Sequence, residues 1–463
     1  RDYASPIVYF LNTTSQMNSY HIKQDAWHSV TSSAGTAGTF GTGATAVFCP
    51  TFSPMGTLAA GGTTTSVVLS TSLGTNVTLN QLSNRGDGKG FIIRIIGNSA
   101  GGSGKIEERR IIGNTGGTST PTIYLDKALS FTPASGDRYE LLSGSVLFLN
   151  TTTMTTGTFR RYDLATNSFS NLSVTGMPTI AATYNALIAL DEQYVSYERN
   201  PGEGYLVGSA TYDTSGDFTK KCLTATGSAA GTLTGQASGG DASVVANEFR
   251  NFQVRIVEDT ATPTAVGQRR RITSHTAGTS PVYTLASNWT VTPSTTAKFV
   301  IENDTDRIIG FFGGQTSTYN YYISNLGNTS ATANTWDTTS WAARTNSIGA
   351  GGLTWYSFGV SFNNNSPGTV RPYVTSFRGS SATYDLFDIS GAATGAWIQG
   401  LAVQTSGTSY DQFIGGADLY HFAYNPHTQE GRYAYMAFSV TTASTTSQRS
   451  FTKIDSVSGM LTR

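Results

Sequence analysis

Charge is scarce in this chain. Charged residues make up 13% of its 463 positions, where an ordinary soluble domain carries about 25%. Lys+Arg and Asp+Glu are equal at 29 each, so the formal net charge is zero, and no long-range field gathers nucleic acid or an anionic membrane. There are two cysteines, Cys49 and Cys222, too few for a disulfide framework or a thiolate zinc site; they read as small buried hydrophobes. No apolar run approaches the roughly 20 residues a membrane-crossing helix needs. The opening Arg1-Asp2-Tyr3-Ala4-Ser5 lacks the charged-then-apolar pattern of a secretion signal, so none is expected.

Titratable groups for catalysis are equally thin. The five histidines are His21, His28, His275, His421 and His427. His21 and His28 flank Asp25 at a spacing that can be drawn as a metal pair, but in a strand-turn-strand the two imidazoles need not converge, and no metal is expected there. His421 and His427 sit around the turn Tyr424-Asn425-Pro426-His427 and read as surface or packing residues. Asp213-Thr214-Ser215-Gly216-Asp217 and Asn84-Arg85-Gly86-Asp87-Gly88 offer clustered oxygens for calcium. The same residues are what a tight turn asks for, and the turn reading is preferred. Arg85-Gly86-Asp87 is the tripeptide of adhesion ligands, too short to carry an argument. No Gly-Xaa-Ser-Xaa-Gly elbow, phosphate-binding loop or His-Glu-Xaa-Xaa-His is present. The chain is therefore expected not to be an enzyme, and no catalytic residue, cofactor or metal is assigned.

What the sequence does contain is β-structure. Helical periodicity is almost absent, and short runs of Val, Ile, Tyr, Phe and Thr bounded by Gly, Asn, Ser and Asp recur from end to end, the pattern of sandwiches, barrels or propellers. Residues 184–190 have the look of half a helix, but their β-rich flanks favour a buried strand. At about 100–200 residues per domain the length implies two to four domains.

An internal duplication sets the architecture. Phe91-Ile92-Ile93-Arg94-Ile95 matches Phe252-Gln253-Val254-Arg255-Ile256, and Arg109-Arg110-Ile111 matches Arg270-Arg271-Ile272. Tyr124-Leu125 answers Tyr283-Thr284-Leu285; Leu129 to Pro133 answers Trp289 to Pro293; Tyr139-Glu140-Leu141 answers Phe299-Val300-Ile301. Each copy reads as a small antiparallel β-module, a barrel or sandwich. We place these modules at 31–144 and 208–304, inserted among blade-like segments at 1–30, 145–207 and 305–463.

The blade-like segments share a phrase: a buried strand, a small-residue turn, a Tyr-bearing strand, a polar turn and a closing aromatic. It appears as Val8-Tyr9-Phe10-Leu11 leading to Tyr20 and Trp27, as Val146-Leu147-Phe148-Leu149 leading to Tyr162 and Phe169, and as Ile308-Ile309-Gly310-Phe311-Phe312 leading to Tyr319, Tyr321, Tyr322, Trp336 and Trp341. Together with Gly313-Gly314, Gly415-Gly416, Tyr162-Asp163-Leu164 and Tyr384-Asp385-Leu386, this resembles kelch-type propeller blades. The fold expected is thus an all-β, kelch-like β-propeller of five to seven blades with two homologous inserted β-modules.

In style the chain also resembles virion proteins of tailed bacteriophages, more narrowly the tail nozzle proteins of short-tailed phages. That resemblance implies a homo-oligomeric ring in the tail or neck of a virion, its partners being copies of itself and other virion proteins. Membrane and sequence-specific nucleic acid are not expected as partners. A second reading is a host-surface glycan-binding fibre, spike or head-decoration protein on the capsid surface, with Tyr319, Tyr321, Trp336 and Trp341 as stacking faces. A third, resting on fold style alone, is a polysaccharide-degrading propeller enzyme. The consecutive arginines Arg109, Arg110, Arg270 and Arg271 are candidates for bidentate contacts to carboxylates of a neighbouring subunit.

Overall fold

The computed structural model describes residues 7–11, 17–21, 24–32, 45–49, 54–149, 159–172, 222–235, 246–249 and 253–302, apart from a few single positions, and elsewhere the backbones of the strands named below. Among the described residues the protein is all-β. Its helical turns there are two single 3-10 turns, Gln81–Ser83 and Pro263–Ala265.

Strands β1 (Ile7–Leu11), β2 (Met17–His21) and β3 (Ala26–Ser29) form a three-stranded antiparallel sheet, and β4 (Thr45–Cys49) opens the next. The first module follows: β5 (Met55–Thr57), β6 (Ser66–Val68), β7 (Ile92–Ile96), β8 (Ile106–Asn114), β9 (Thr122–Leu125) and β10 (Arg138–Leu142). The chain then returns to the interrupted sheet with β11 (Ser145–Leu149), β12 (Phe159–Asp163) and β13 (Ser168–Asn171), and β11 pairs with β4 over its whole length.

The pattern repeats. β14 (Asn185–Ala189) precedes the second module, made of β15 (Leu223–Ala229), β16 (Thr232–Gly235), β17 (Gln253–Glu258), β18 (Arg269–His275), β19 (Val282–Leu285) and β20 (Lys298–Glu302). β21 (Arg307–Phe312) then pairs with β14 and is followed by β22 (Asn320–Asn325) and β23 (Ala342–Ala343). Two uninterrupted four-stranded meanders complete the chain: β24 (Gly359–Ser366), β25 (Thr369–Phe377), β26 (Thr383–Asp388) and β27 (Ala396–Ala402), then β28 (Tyr420–Tyr424), β29 (Tyr433–Thr441), β30 (Ser447–Asp455) and β31 (Leu461–Thr462).

Each module therefore interrupts a sheet between its first and second strands. β14 lies alongside β4 and also alongside β24, so the opening strands of three successive sheets are neighbours. The stretch 184–190 contains strand β14, not a helix. The first insertion begins after Cys49 rather than at residue 31, because β4 belongs to the flanking sheet through its ladder with β11.

The two modules have one strand order. In the first it is β5-β10-β7-β8-β9-β6; in the second, read in the same direction, it is β15-β20-β17-β18-β19-β16. The second closes into a barrel because its seven-residue β15 pairs directly with β16 across a tight turn. In the first, β5 and β6 are three residues each and meet near the seam through the single bridge Leu58↔Leu69. Alternation along the strands sends one set of side chains inward. Ile93, Ile95, Ile123, Tyr139 and Leu141 fill the first module; Val254, Ile256, Tyr283, Phe299 and Ile301 fill the second.

Tyr124 and Tyr283, matched by sequence, are not structural equivalents. Tyr124 is 45% exposed and Tyr283 is fully buried. The ladders pair Ile111 with Leu125 and Ile272 with Leu285, which aligns Ile123 with Tyr283. A slip of one residue in a strand exchanges its faces.

Candidate functional site

The outward faces of β10, β7 and β8 carry the most concentrated chemistry among the described residues. Arg94, in the middle of β7, stands directly opposite Glu140 on β10 and Glu108 on β8. Its guanidinium donates to Glu140 Oε2 at 2.6 Å and to Glu108 Oε1 at 2.8 Å. In the second module the same three positions hold Val300, Arg255 and Arg269, with Arg255 directly opposite Arg269. Like charges facing one another across a ladder are unfavourable by themselves. The first module supplies a counter-charge. Burial pushes the Glu140 carboxyl up, but Arg94, followed by Arg269, Arg255 and Arg138, outweighs it and holds the group well below the usual carboxylate range. One copy's glutamate is thus opposed by the other copy's arginines, a charge complementarity that two identical modules would not have.

The apolar and backbone contacts run across the same boundary. Ile96 and Ile106, outward-facing on the first module, are buried in the core cluster of the second. Lys105 forms a β-bridge to Glu258, the Asp259 amide donates to the Gly104 carbonyl at 2.9 Å, and Asn98 Nδ2 donates to the Val266 carbonyl at 3.2 Å. Buried aspartates brace the loops beside this contact from opposite sides. Asp137 accepts from the Ser99 and Ala134 amides, while Asp259 accepts from the Thr262 and Ser294 amides and the Ser294 hydroxyl.

The paired arginines divide by strand alternation. Arg109 and Arg270 point into their own modules and are buried. Arg109 donates to the Ala128 and Glu108 carbonyls and to Glu107. Arg270 donates to the Asn288 and Arg269 carbonyls, to Gln268 Oε1 and to Thr290 Oγ1, and lies 5.4 Å over the Trp289 ring. Burial lowers the Arg270 pKa to about 10, so it stays charged at neutral pH. These two residues are internal braces of the turn before the Thr-Pro segment. Within the chain their guanidinium groups are thus engaged by their own modules, where the sequence reading places them at a neighbouring subunit. Arg110 and Arg271 are partly exposed, and Arg110 donates to the Gly90 carbonyl at 2.9 Å.

The brace yields a prediction. Glu107 accepts from the Ser130 amide and hydroxyl, and Gln268 does the same work with an amide oxygen, accepting from the Thr290 amide at 2.8 Å. Glu107→Ala, which leaves the buried Arg109 guanidinium without this carboxylate and removes the acceptor for Ser130, is expected to cost about 1–3 kcal/mol. Glu107→Gln should retain most of that stability, and thermal denaturation of the two variants checks the difference.

His21 and His28 do converge, their ring centroids 4.2 Å apart, with Ser19 Oγ 3.2 Å from His21 Nε2. Desolvation, with the His28 charge second, lowers the His21 pKa. Among the described residues no group of three or more His, Cys, Asp or Glu is placed to hold a metal ion. Arg85 is buried, and Asn84 Oδ1 accepts from the Gly86 amide in an Asx-type turn. Cys222 is half-buried, outside any disulfide, and packed on the second module's core, and Cys49 lies in β4. Tyr321 lies in β22 and His421 in β28, where only backbone is described. Tyr319, Trp336, Trp341, His427 and the turn at 213–217 lie outside the described residues.

Sequence comparison missed a further pair of equivalents, because their spacing in the chain differs from that of the other matches. Asn80 and Asn247 both adopt positive φ, 60° and 64°. The Asn80 amide donates to the Asn114 carbonyl and Asn80 Oδ1 accepts from the Asn114 amide, and Asn247 makes the same two bonds with His275. The signal in the sequence is Asn80-Gln81-Leu82 against Asn247-Glu248-Phe249. A surface difference was missed too. Leu79, Ile112 and Tyr124 are exposed hydrophobics, while the positions aligned with the last two are Thr273 and Thr284.

No protein-family model, no curated protein and no solved structure matches the chain.

Proposed function

We propose that the chain is a structural component of a phage particle, a tail nozzle, tail-tube or neck ring protein that acts through protein–protein contacts. The observation that carries this reading is the arrangement of the inserts. Two β-modules project from consecutive sheets and are locked to each other through a buried, charge-complementary face. Such a pair is a stiff double knob on a β-scaffold, suited to bridging between subunits of an assembly. On the same reading the small sheets are blades of a kelch-like propeller, supported by the side-by-side opening strands β4, β14 and β24. The charge-poor surface fits self-association, since copies of it repel each other little. On this reading the partly exposed Arg110 and Arg271 are the members of the arginine pairs that would meet a neighbouring subunit.

Mass spectrometry of purified particles, with copy number per capsid, tests the proposal. About a dozen copies or fewer, located to the tail or neck, is the expected result; absence from the particle overturns it. A second reading, glycan binding at the host surface, is favoured by one feature: the exposed Tyr124 ring beside Ile112 on the first module, a flat aromatic platform of the kind that stacks on sugars. A glycan array with wild type and Tyr124→Ala distinguishes it. Loss of a sugar signal in the variant would support binding there.

A further inference from the structure

The twin modules carry the same latch in two chemistries, and one of the two titrates. In the first module Asn114, at the end of β8, accepts the Leu82 amide on Oδ1 at 2.8 Å and donates through Nδ2 to the Thr115 carbonyl at 2.7 Å and the Thr78 carbonyl at 2.9 Å. In the second, His275 ends β18. Its Nε2 accepts the Phe249 amide at 2.8 Å, and its Nδ1 lies 2.9 Å from the Thr276 carbonyl. A carbonyl can only accept, so Nδ1 holds the proton and Nε2 is the lone-pair nitrogen. The neutral tautomer is thereby specified by its two partners.

We infer that His275 is an acid-sensitive latch that holds the Asn247–Phe249 segment to the second barrel at neutral pH and releases it on protonation. A second proton on the ring goes to Nε2, where it meets the Phe249 N–H, donor against donor. The imidazolium is also set among rings, Phe249 stacked at 5.3 Å and Tyr283 at 5.4 Å, with Phe299 behind Tyr283. Among the described residues, the titratable group facing the ring from β19 is the Tyr283 phenol, which is neutral throughout this range. The 247–249 segment contributes Asn247 and Phe249 to the contact, and the nearest charged residue on β18 itself is Arg271. The closed latch binds the neutral ring only, whereas the open form accepts the proton. The latch is therefore stable above the histidine range, centred at about 6.5, and is lost as pH falls through it. Asn114 has no proton to take up, so the first module keeps its latch.

The test is hydrogen exchange on the full chain at pH 7.5 and pH 5.0, expressed as protection factors so that intrinsic rates cancel. Protection in peptides spanning Phe249 is expected to fall about tenfold or more at pH 5.0, one decade per pH unit below the transition, while peptides spanning Leu82 hold theirs. His275→Asn, which copies the twin, should abolish the pH dependence around Phe249. Asn114→His should confer it on Leu82, and that variant carries the test should H275N fail to fold. Equal protection of the wild-type Phe249 region at both pH values overturns the inference. So does an unchanged pH dependence in folded H275N, or pH-independent Leu82 protection in N114H.

Discussion

Glu140→Ala is expected to destabilise the chain by about 3–5 kcal/mol, the range for removing one partner from a buried ion cluster and leaving the other charges uncompensated. The carboxylate is buried and holds Arg94 at 2.6 Å, with Arg269 and Arg255 of the second module acting on it across the boundary. Without it, the neighbouring pair Arg255 and Arg269 loses a counter-charge supplied by the first module. The pH dependence follows from the direction of the shift. A carboxyl held low in the folded state stabilises fully above its unfolded value of about 4.3, and the contribution fades as pH falls below that. The alanine variant should therefore lose more against wild type at pH 7 than at pH 3. Urea unfolding at both values measures it, and an equal difference at the two would remove Glu140 from the account of module pairing.

A second substitution separates pairing from local strain. Gly104 has φ +71, and a Cβ there would fall 2.5 Å from the Asp259 carbonyl oxygen, backbone of the other module. Gly117 has φ +76 with nothing within 4 Å of the same hypothetical atom. Alanine at either position incurs about 1–3 kcal/mol of backbone strain. At Gly104 it must also push the modules apart, breaking the hydrogen bond from the Asp259 amide and the Lys105–Glu258 bridge. Gly104→Ala is expected to exceed Gly117→Ala by at least about 1 kcal/mol, the contribution of one such hydrogen bond. The excess should appear as faster hydrogen exchange at the Asp259 amide.

The all-β character and the duplication were legible in the chain because they rest on local signals: alternating side chains, turn residues, and matched runs such as Phe91 to Ile95 against Phe252 to Ile256. The arginine pairs were legible as strand residues, but not as inward or outward. The side-chain period is two, and neither Arg109-Arg110 nor Arg270-Arg271 declares its register without the partner strand. The same one-residue ambiguity misplaced Tyr124 against Tyr283. The pairing of the modules left no local trace at all, since Glu140 lies 115 positions from Arg255 and 129 from Arg269 along the chain.

By itself the sequence determined the strand-and-turn alphabet, the existence of two homologous modules, and a composition too poor in charge, cysteine and histidine to advertise a catalytic centre. Those properties are set by each residue's own conformational preference and by its neighbours within a few positions. The tertiary structure alone decided that β4 and β14 are claimed by sheets resumed only after a whole module, that Arg109 and Arg270 are braces, that the two copies oppose unlike charges, and that His275 stands where its twin has Asn114. Each of these depends on which distant backbone comes alongside, and that choice is made by burying the barrel cores and satisfying their buried polar groups together, a global condition that no short window of sequence contains.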